Sequence, residues 1–220
     1  MIPGPHPYHH GELRAALIEA GLALARNGGP EAVGLREVTR SAGVTPNAAY
    51  RHFADRHALV LAVALEAQDR LAQAMLDRMD AAPERPDAAE HALERLRDVG
   101  LGYIHFARSE PGWFELAFLT QDEPGERPGV TVADGVPPPY QLLLDALDAL
   151  VDAGVLTAER RENAEWACWS TVHGFADLVI RGPLRTQPPE VVEHLGTVAV
   201  ETIIRGLRAG QQQPGVESDL

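Results

Sequence analysis

Apolar positions recur every three or four residues along almost the whole chain, the period of the α-helix, and no segment alternates as a strand would. From Glu12 to Arg26 the stripe is Leu13, Ala16, Leu17, Ala20 and Leu24, and Asn27-Gly28-Gly29-Pro30 stops it as C-terminal glycine and following proline do. A second, short helix is expected from Leu35 to Ala42, ending at Gly43. A third is expected from Pro46 to Phe53, with Thr45 as N-cap and Pro46 in the first helical position. Asp55 caps a fourth that carries Leu59, Val63, Leu71 and Met75 in helical register to Met79, before Pro83-Glu84-Arg85-Pro86 breaks it. A fifth covers Ala88–Ser109. After Pro111-Gly112 comes a short apolar turn, Trp113–Leu119, then a loop rich in Pro, Gly and acids over Gln121–Pro139. Three further helices are expected at Tyr140–Ala153, Ala158–Arg181 and Pro189–Ala209, and the polar residues 211–220 read as a disordered tail. The fold class is all-α.

Composition adds a division to this picture. The net charge of −13 argues against a nucleic-acid partner until it is counted by region. Residues 1–60 hold six arginines and five acids, while the remainder holds 13 arginines against 27 acids. The acidity therefore belongs to the C-terminal three-quarters, and two parts with different partners are expected. Every basic residue is Arg, which suits phosphate geometry. The opening has no apolar signal-like run, no stretch approaches the roughly 18 apolar residues of a membrane span, and there is one cysteine, Cys168. The expectation is a cytoplasmic protein without membrane association.

The segment from Leu35 to Phe53 carries the most specific signal. Two short helices meet at Gly43, where the left-handed conformation comes cheaply, and Ala42 lets them approach. Val38, Val44, Ala49 and Phe53 supply the contacts that set their angle. This is the requirement of a helix-turn-helix whose second helix enters a major groove. Thr45, Asn47, Ala48, Tyr50, Arg51 and His52 are left facing outward, small and polar groups suited to base edges and phosphates. Two helices around a glycine turn also occur as plain packing, with Thr45 a cap and Tyr50 a filler.

Gly43-Val44-Thr45, Ala49-Tyr50-Arg51-His52-Phe53-Ala54-Asp55-Arg56 and Leu59 resemble the signature of the TetR family of transcriptional regulators, and Tyr8-His9-His10-Gly11-Glu12-Leu13-Arg14 resembles the opening of one of its branches. The resemblance implies a helix-turn-helix domain over residues 8–55 and a helical ligand-binding and dimerisation domain over 56–210. It further implies that Thr45, Tyr50 and His52 contact phosphate or bases, and that Asn47 and Ala48 stand where base readout varies. Arg56, where the family usually has Lys, would clamp a phosphate. Arg36 and Arg40 are placed to touch the DNA backbone, or equally to stay solvated. Trp169, His173 and Gly174 resemble the Trp-His-Gly motif of the same branch's effector domain.

In the C-terminal part, Tyr103, Phe106, Trp113, Phe114 and Phe118 cluster in a chain only 5% aromatic. With Trp169 and His173 they are the candidate lining of an apolar pocket, or alternatively core and interface. No metal or cofactor is expected: only Asp177 could join His173 from the same helix, and two ligands do not make a site. A flexible arm near DNA explains His6, His9 and His10 better than a metal cluster does. The last two helices carry apolar faces for a dimer interface, with Val172, Val179, Leu195, Ala199 and Ile203 as candidates, because one short reading helix covers few base pairs. The expected function is a ligand-responsive repressor that binds a palindromic operator on double-stranded DNA as a homodimer and is released by a small molecule. An enzyme is a poorer reading, since no nucleophile–base pair or phosphate loop is visible. A protein-interaction adaptor is the other alternative.

Overall fold

The computed structural model describes residues 10–83, 85–118 and 139–209, and all secondary structure among them is helical. The helices are α1 (His10–Gly28), α2 (Leu35–Ser41), α3 (Pro46–Ala49), α4 (Arg56–Ala81), α5 (Ala88–Ser109), α6 (Pro111–Phe118), α7 (Pro139–Asp152), α8 (Ala158–Arg161), α9 (Ala164–Ile180) and α10 (Pro189–Arg208). Short 3-10 turns at Pro30–Ala32 and Pro183–Thr186 join some of them. The loop expected over Gln121–Pro139, apart from Pro139 itself, the tail and the residues His6 and His9 lie outside the described residues.

The chain forms two compact units, residues 1–70 with 110–136, and residues 71–109 with 137–220. The boundary thus falls inside α4, some fifteen residues beyond the point at which the sequence resemblance divides the chain, and the first unit takes α6 from much later in the sequence. Its core is built on Leu17, Leu22, Val38, Phe53, Leu59 and Val63, with Leu116 and Ala117 of α6 fully buried among them. α6 lies so close to the end of α1 that a Cβ on Gly112 would stand 2.1 Å from the Ala25 carbonyl oxygen. Backbone cannot yield as a side chain can, so glycine is required there. What the sequence marks as an apolar turn is therefore a full helix belonging to the first unit.

In the second unit α5 packs against α7, α9 and α10, and α9 against α10. Asp98 of α5, 4% exposed, accepts a 2.9 Å hydrogen bond from Nε of Arg78 at the end of α4. Burial holds its carboxyl above the usual range despite that arginine. The helix expected over Ala158–Arg181 is two. Asn163 takes a left-handed conformation, φ 61°, which asparagine tolerates better than most residues, and it separates α8 from α9. Arg161 stays in place through Asp148 at 2.6 Å and Glu165 at 2.7 Å.

Candidate nucleic-acid interface and effector cavity

The reading turn is fixed from behind. Val38 and Ala49 are fully buried, Phe53 is nearly so, and the guanidinium of Arg14 sits 5.4 Å from the Phe53 ring. Gly43 has φ 68°, and a Cβ there would meet nothing within 4 Å. Its constraint is conformational and not steric. Backbone bonds from Ala42 to Val38 (2.8 Å) and from Val44 to Thr39 (2.9 Å) close the turn.

α3 is one turn long, shorter than the expected Pro46–Phe53. Beyond it the amides of His52 and Phe53 both donate to the Ala49 carbonyl at 2.9 Å, so the chain turns away once Phe53 reaches the core. Thr45 holds the N-cap position with extended backbone, but its side chain makes no capping bond. Thr45, Asn47, Tyr50 and Arg51 are exposed, as are Arg36 and Arg40 of α2, while Ala48 and His52 are half-buried. Tyr50 is 56% exposed, which rules out a packing role for its ring. A phenol, an amide, a hydroxyl and three guanidinium groups are thus exposed on and around the turn, the kind of inventory that contacts phosphates and base edges.

Arg56 is engaged differently. Its Nε donates to the Val33 carbonyl at 2.9 Å and an Nη to the Pro30 carbonyl at 3.0 Å, with Glu31 at 3.8 Å. The side chain remains half exposed. It ties the start of α4 to the segment before α2, a structural task the sequence resemblance did not indicate. Arg56→Ala is therefore expected to lower the unfolding free energy by about 1 kcal/mol, while changing the salt dependence of DNA binding by less than one phosphate contact. Parallel thermal melts and salt titrations check this.

In the second unit α5, α7, α9 and α10 surround a narrow apolar cleft, part of it open to solvent. Its wall is mostly aliphatic: Met75 from α4, Leu96 and Val99 from α5, Leu143 from α7, Val172 from α9, and Val200 and Ile203 from α10. Tyr103, Cys168 and Trp169 also border it, with Gly100, Pro139 and Ile204. The Tyr103 hydroxyl lies 2.7 Å from Nδ1 of His173. Burial raises the tyrosine's pKa above its ordinary value. Burial also lowers that of His173, against the pull of Asp177, so both groups are neutral at physiological pH. Burial pushes the Cys168 thiol up to about 11, which keeps it protonated. The Trp169 and His173 rings stack 6.0 Å apart at 15°. Tyr103 and Tyr140 meet Trp169 edge-on at 5.4 and 5.6 Å.

Two family models match the chain. Residues 17–63 match the bacterial regulatory proteins of the tetR family, and residues 96–203 match the tetracyclin repressor-like C-terminal domain. The chain belongs to the TetR family. It is a DNA-binding transcriptional regulator, with the reading turn inside the first match and most of the cavity inside the second. Both matches are to the family, and neither distinguishes the branch suggested by Trp169, His173 and Gly174. A solved structure of a protein with unknown function from Rhodococcus sp. RHA1 is 27% identical, covers 93% of this chain and 100% of its own, and superposes with a TM-score of 0.74. A TetR family transcription regulator from Marinobacter aquaeolei VT8 is 18% identical over 86% of this chain and 93% of its own, TM-score 0.58. RolR in complex with resorcinol is 17% identical over 96% and 98%, TM-score 0.55. No curated protein matches.

Within this TetR-family chain the expected aromatic cluster is divided. Tyr103 and Trp169 line the cavity and His173 bonds to Tyr103, but Phe106, though buried, does not line it. Trp113, Phe114 and Phe118 belong to the first unit. The Trp113 indole donates to the Leu22 carbonyl at 2.7 Å between the guanidinium groups of Arg26 and Arg70, 5.4 and 5.3 Å from its ring. Arg26 in turn holds Glu110 at 2.7 Å. Phe114 and Phe118 pair with ring centroids 4.8 Å apart. These three anchor α6 and do not border the α5–α7–α9–α10 cavity. The aliphatic lining carries no sequence signal that separates it from ordinary core.

The candidate interface residues also sort by direction. Val172 and Val179 are buried inside the protomer, Ile203 lines the cavity, and Ala199 is half-buried. Leu195 alone among them is exposed, at 37%. Its exposed apolar companions are Trp166 and Leu178 of α9 and Val191 and Val198 of α10. A Cβ on Gly174 would meet nothing within 4 Å, so this glycine adds a shallow spot to the α9 surface and does not serve packing inside the chain.

Proposed function

We propose that this regulator is a cytoplasmic repressor. It binds a palindromic operator as a homodimer through Arg36, Arg40, Thr45, Asn47, Tyr50, Arg51 and His52, and a small molecule entering the α5–α7–α9–α10 cavity releases it. The observation that carries the reading is the apolar cavity of the second unit, bordered by Tyr103, whose hydroxyl bonds to His173. That RolR, a protein of the same fold, is in complex with resorcinol supports a small-molecule effector here. Met75 of α4 lines the cavity, while Leu59 and Val63 of that helix are core residues behind the reading turn. A ligand that displaces Met75 therefore acts on a helix that both units share. If it favours a state unfit for DNA by about 1–3 kcal/mol, operator affinity falls roughly 5- to 150-fold.

Second copies dock on the exposed faces of α9 and α10, which carry the exposed apolar side chains Trp166, Leu178, Leu195 and Val198. Sequencing the genomic fragments retained by purified protein tests the reading. A shared inverted repeat among them, bound with one dimer per site, is the expected outcome. Retention of no fragment above background would overturn it.

A further inference from the structure

Along α5, Leu101, Ile104, His105 and Arg108 fall three and four residues apart and share one face of the helix. It is not the face of Leu96, Val99 and Tyr103, which borders the apolar cavity. With Arg78 of α4 and the N-terminal half of α10 these residues line a second groove of the same unit, which has no lining residue in common with that cavity. We infer that this groove binds a free α-amino acid with a small apolar side chain, held by both of its charges. The floor suits such a side chain, being made by Leu101 with the buried Ile104 and Val192. Gly196 lets α10 close on it, since a Cβ there would stand 3.3 Å from the Phe175 ring and 3.4 Å from Ile104.

The charged groups on the rim are Arg78, Arg108 and Glu193, with His105 beside them. Arg78 is held from behind: its Nε donates to the buried Asp98 at 2.9 Å, which leaves its Nη groups without a partner among the described residues. Arg108 makes one long bond, from an Nη to the Pro189 carbonyl at 3.3 Å, and no ion pair among the described residues. Glu193 has no cationic partner among them either, although it borders the same groove as Arg108. A guanidinium and a carboxylate that line one groove without pairing are complementary to a ligand that brings both charges. The planar guanidinium groups match its carboxylate, and Glu193 accepts from its ammonium. A lone carboxylate would meet the like charge of Glu193, and a lone amine that of the two arginines.

Three probes separate the two charges: L-valine, 3-methylbutanoate, which lacks its amino group, and isobutylamine, which lacks its carboxylate. Titrated into the full-length protein at low salt by calorimetry and ligand-observed NMR, valine is expected to bind about fivefold more tightly than either of the others. Glu193→Gln should bring valine and 3-methylbutanoate within about twofold of each other. Arg108→Gln should weaken valine and 3-methylbutanoate by about fivefold and leave isobutylamine no weaker. Both side chains reach solvent and neither change strands a buried group, so the thermal melt should hold in each variant. Arg78 is left in place because its loss would strand Asp98. A single-charge probe as tight as valine in the wild type, a loss common to all three probes in either variant, or no binding of valine at millimolar concentration overturns the inference. Each of these outcomes leaves the reading of the α5–α7–α9–α10 cavity standing, since no residue of that cavity is altered.

Discussion

Leu178→Glu combined with Leu195→Glu is expected to give a monomer by sedimentation and to weaken operator binding by about 10²- to 10⁴-fold, the advantage lost when two linked reading units become independent. Each change places a carboxylate where a second copy would bury an apolar side chain, twice per dimer, in a chain already at −13. Neither position supports the protomer's own core: Leu178 is 45% and Leu195 37% exposed. The melting temperature of the monomer unit should therefore reflect loss of association alone, with protomer stability changed by about 0.5 kcal/mol or less. A doubly substituted protein that still sediments as a dimer would move the interface elsewhere. Ile203 is not a suitable site for this test, because a glutamate there also fills the cavity.

Arg40→Ala with Tyr50→Ala is expected to reduce operator affinity by about 10³- to 10⁶-fold. One hydrogen bond or charge-assisted contact contributes about 1–2 kcal/mol, and a symmetric dimer loses each contact twice. Affinity for unrelated DNA should fall less, and the salt slope should flatten by about two phosphates per dimer through Arg40. Both residues are exposed, so helix content and thermal stability should hold. Operator and competitor titrations at several salt concentrations measure all three effects. Unchanged operator affinity would remove the surface around α3 from the interface.

The reading turn was the most legible part of the chain because its constraints are local. Gly43 must be left-handed, Thr45 and Pro46 start a helix, and Asp55 caps the next, its carboxylate accepting from the Ala58 amide at 2.8 Å. Each is a property of a few adjacent residues. The helical bundle was legible as a set of elements, since a 3.6-residue period survives whatever the helix packs against. What escaped depends on direction or on distant partners. Tyr103, Phe106, Trp113, Phe114 and Phe118 lie close in sequence, yet Pro111 starts a helix that carries the last three into the first unit, where the partner of Trp113 is a carbonyl 91 residues away. Periodicity marks one face of α9 as apolar but does not say whether Val172 or Leu178 turns inward. Arg56 looks like any exposed cation until the carbonyls of Pro30 and Val33 are in place.

The burial of Leu116 and Ala117 among residues from α1 and α4 bears on how this regulator can be taken apart. Its DNA-reading half is not a contiguous cassette. A cut after residue 70 would leave the side of α1 that meets α6 open to water and the Leu22 carbonyl without the Trp113 indole. A hybrid regulator assembled by exchanging N-terminal segments would inherit a foreign α6 in the middle of its recognition module. Operator specificity and structural integrity are therefore exchanged together only when two separate stretches of sequence travel as one.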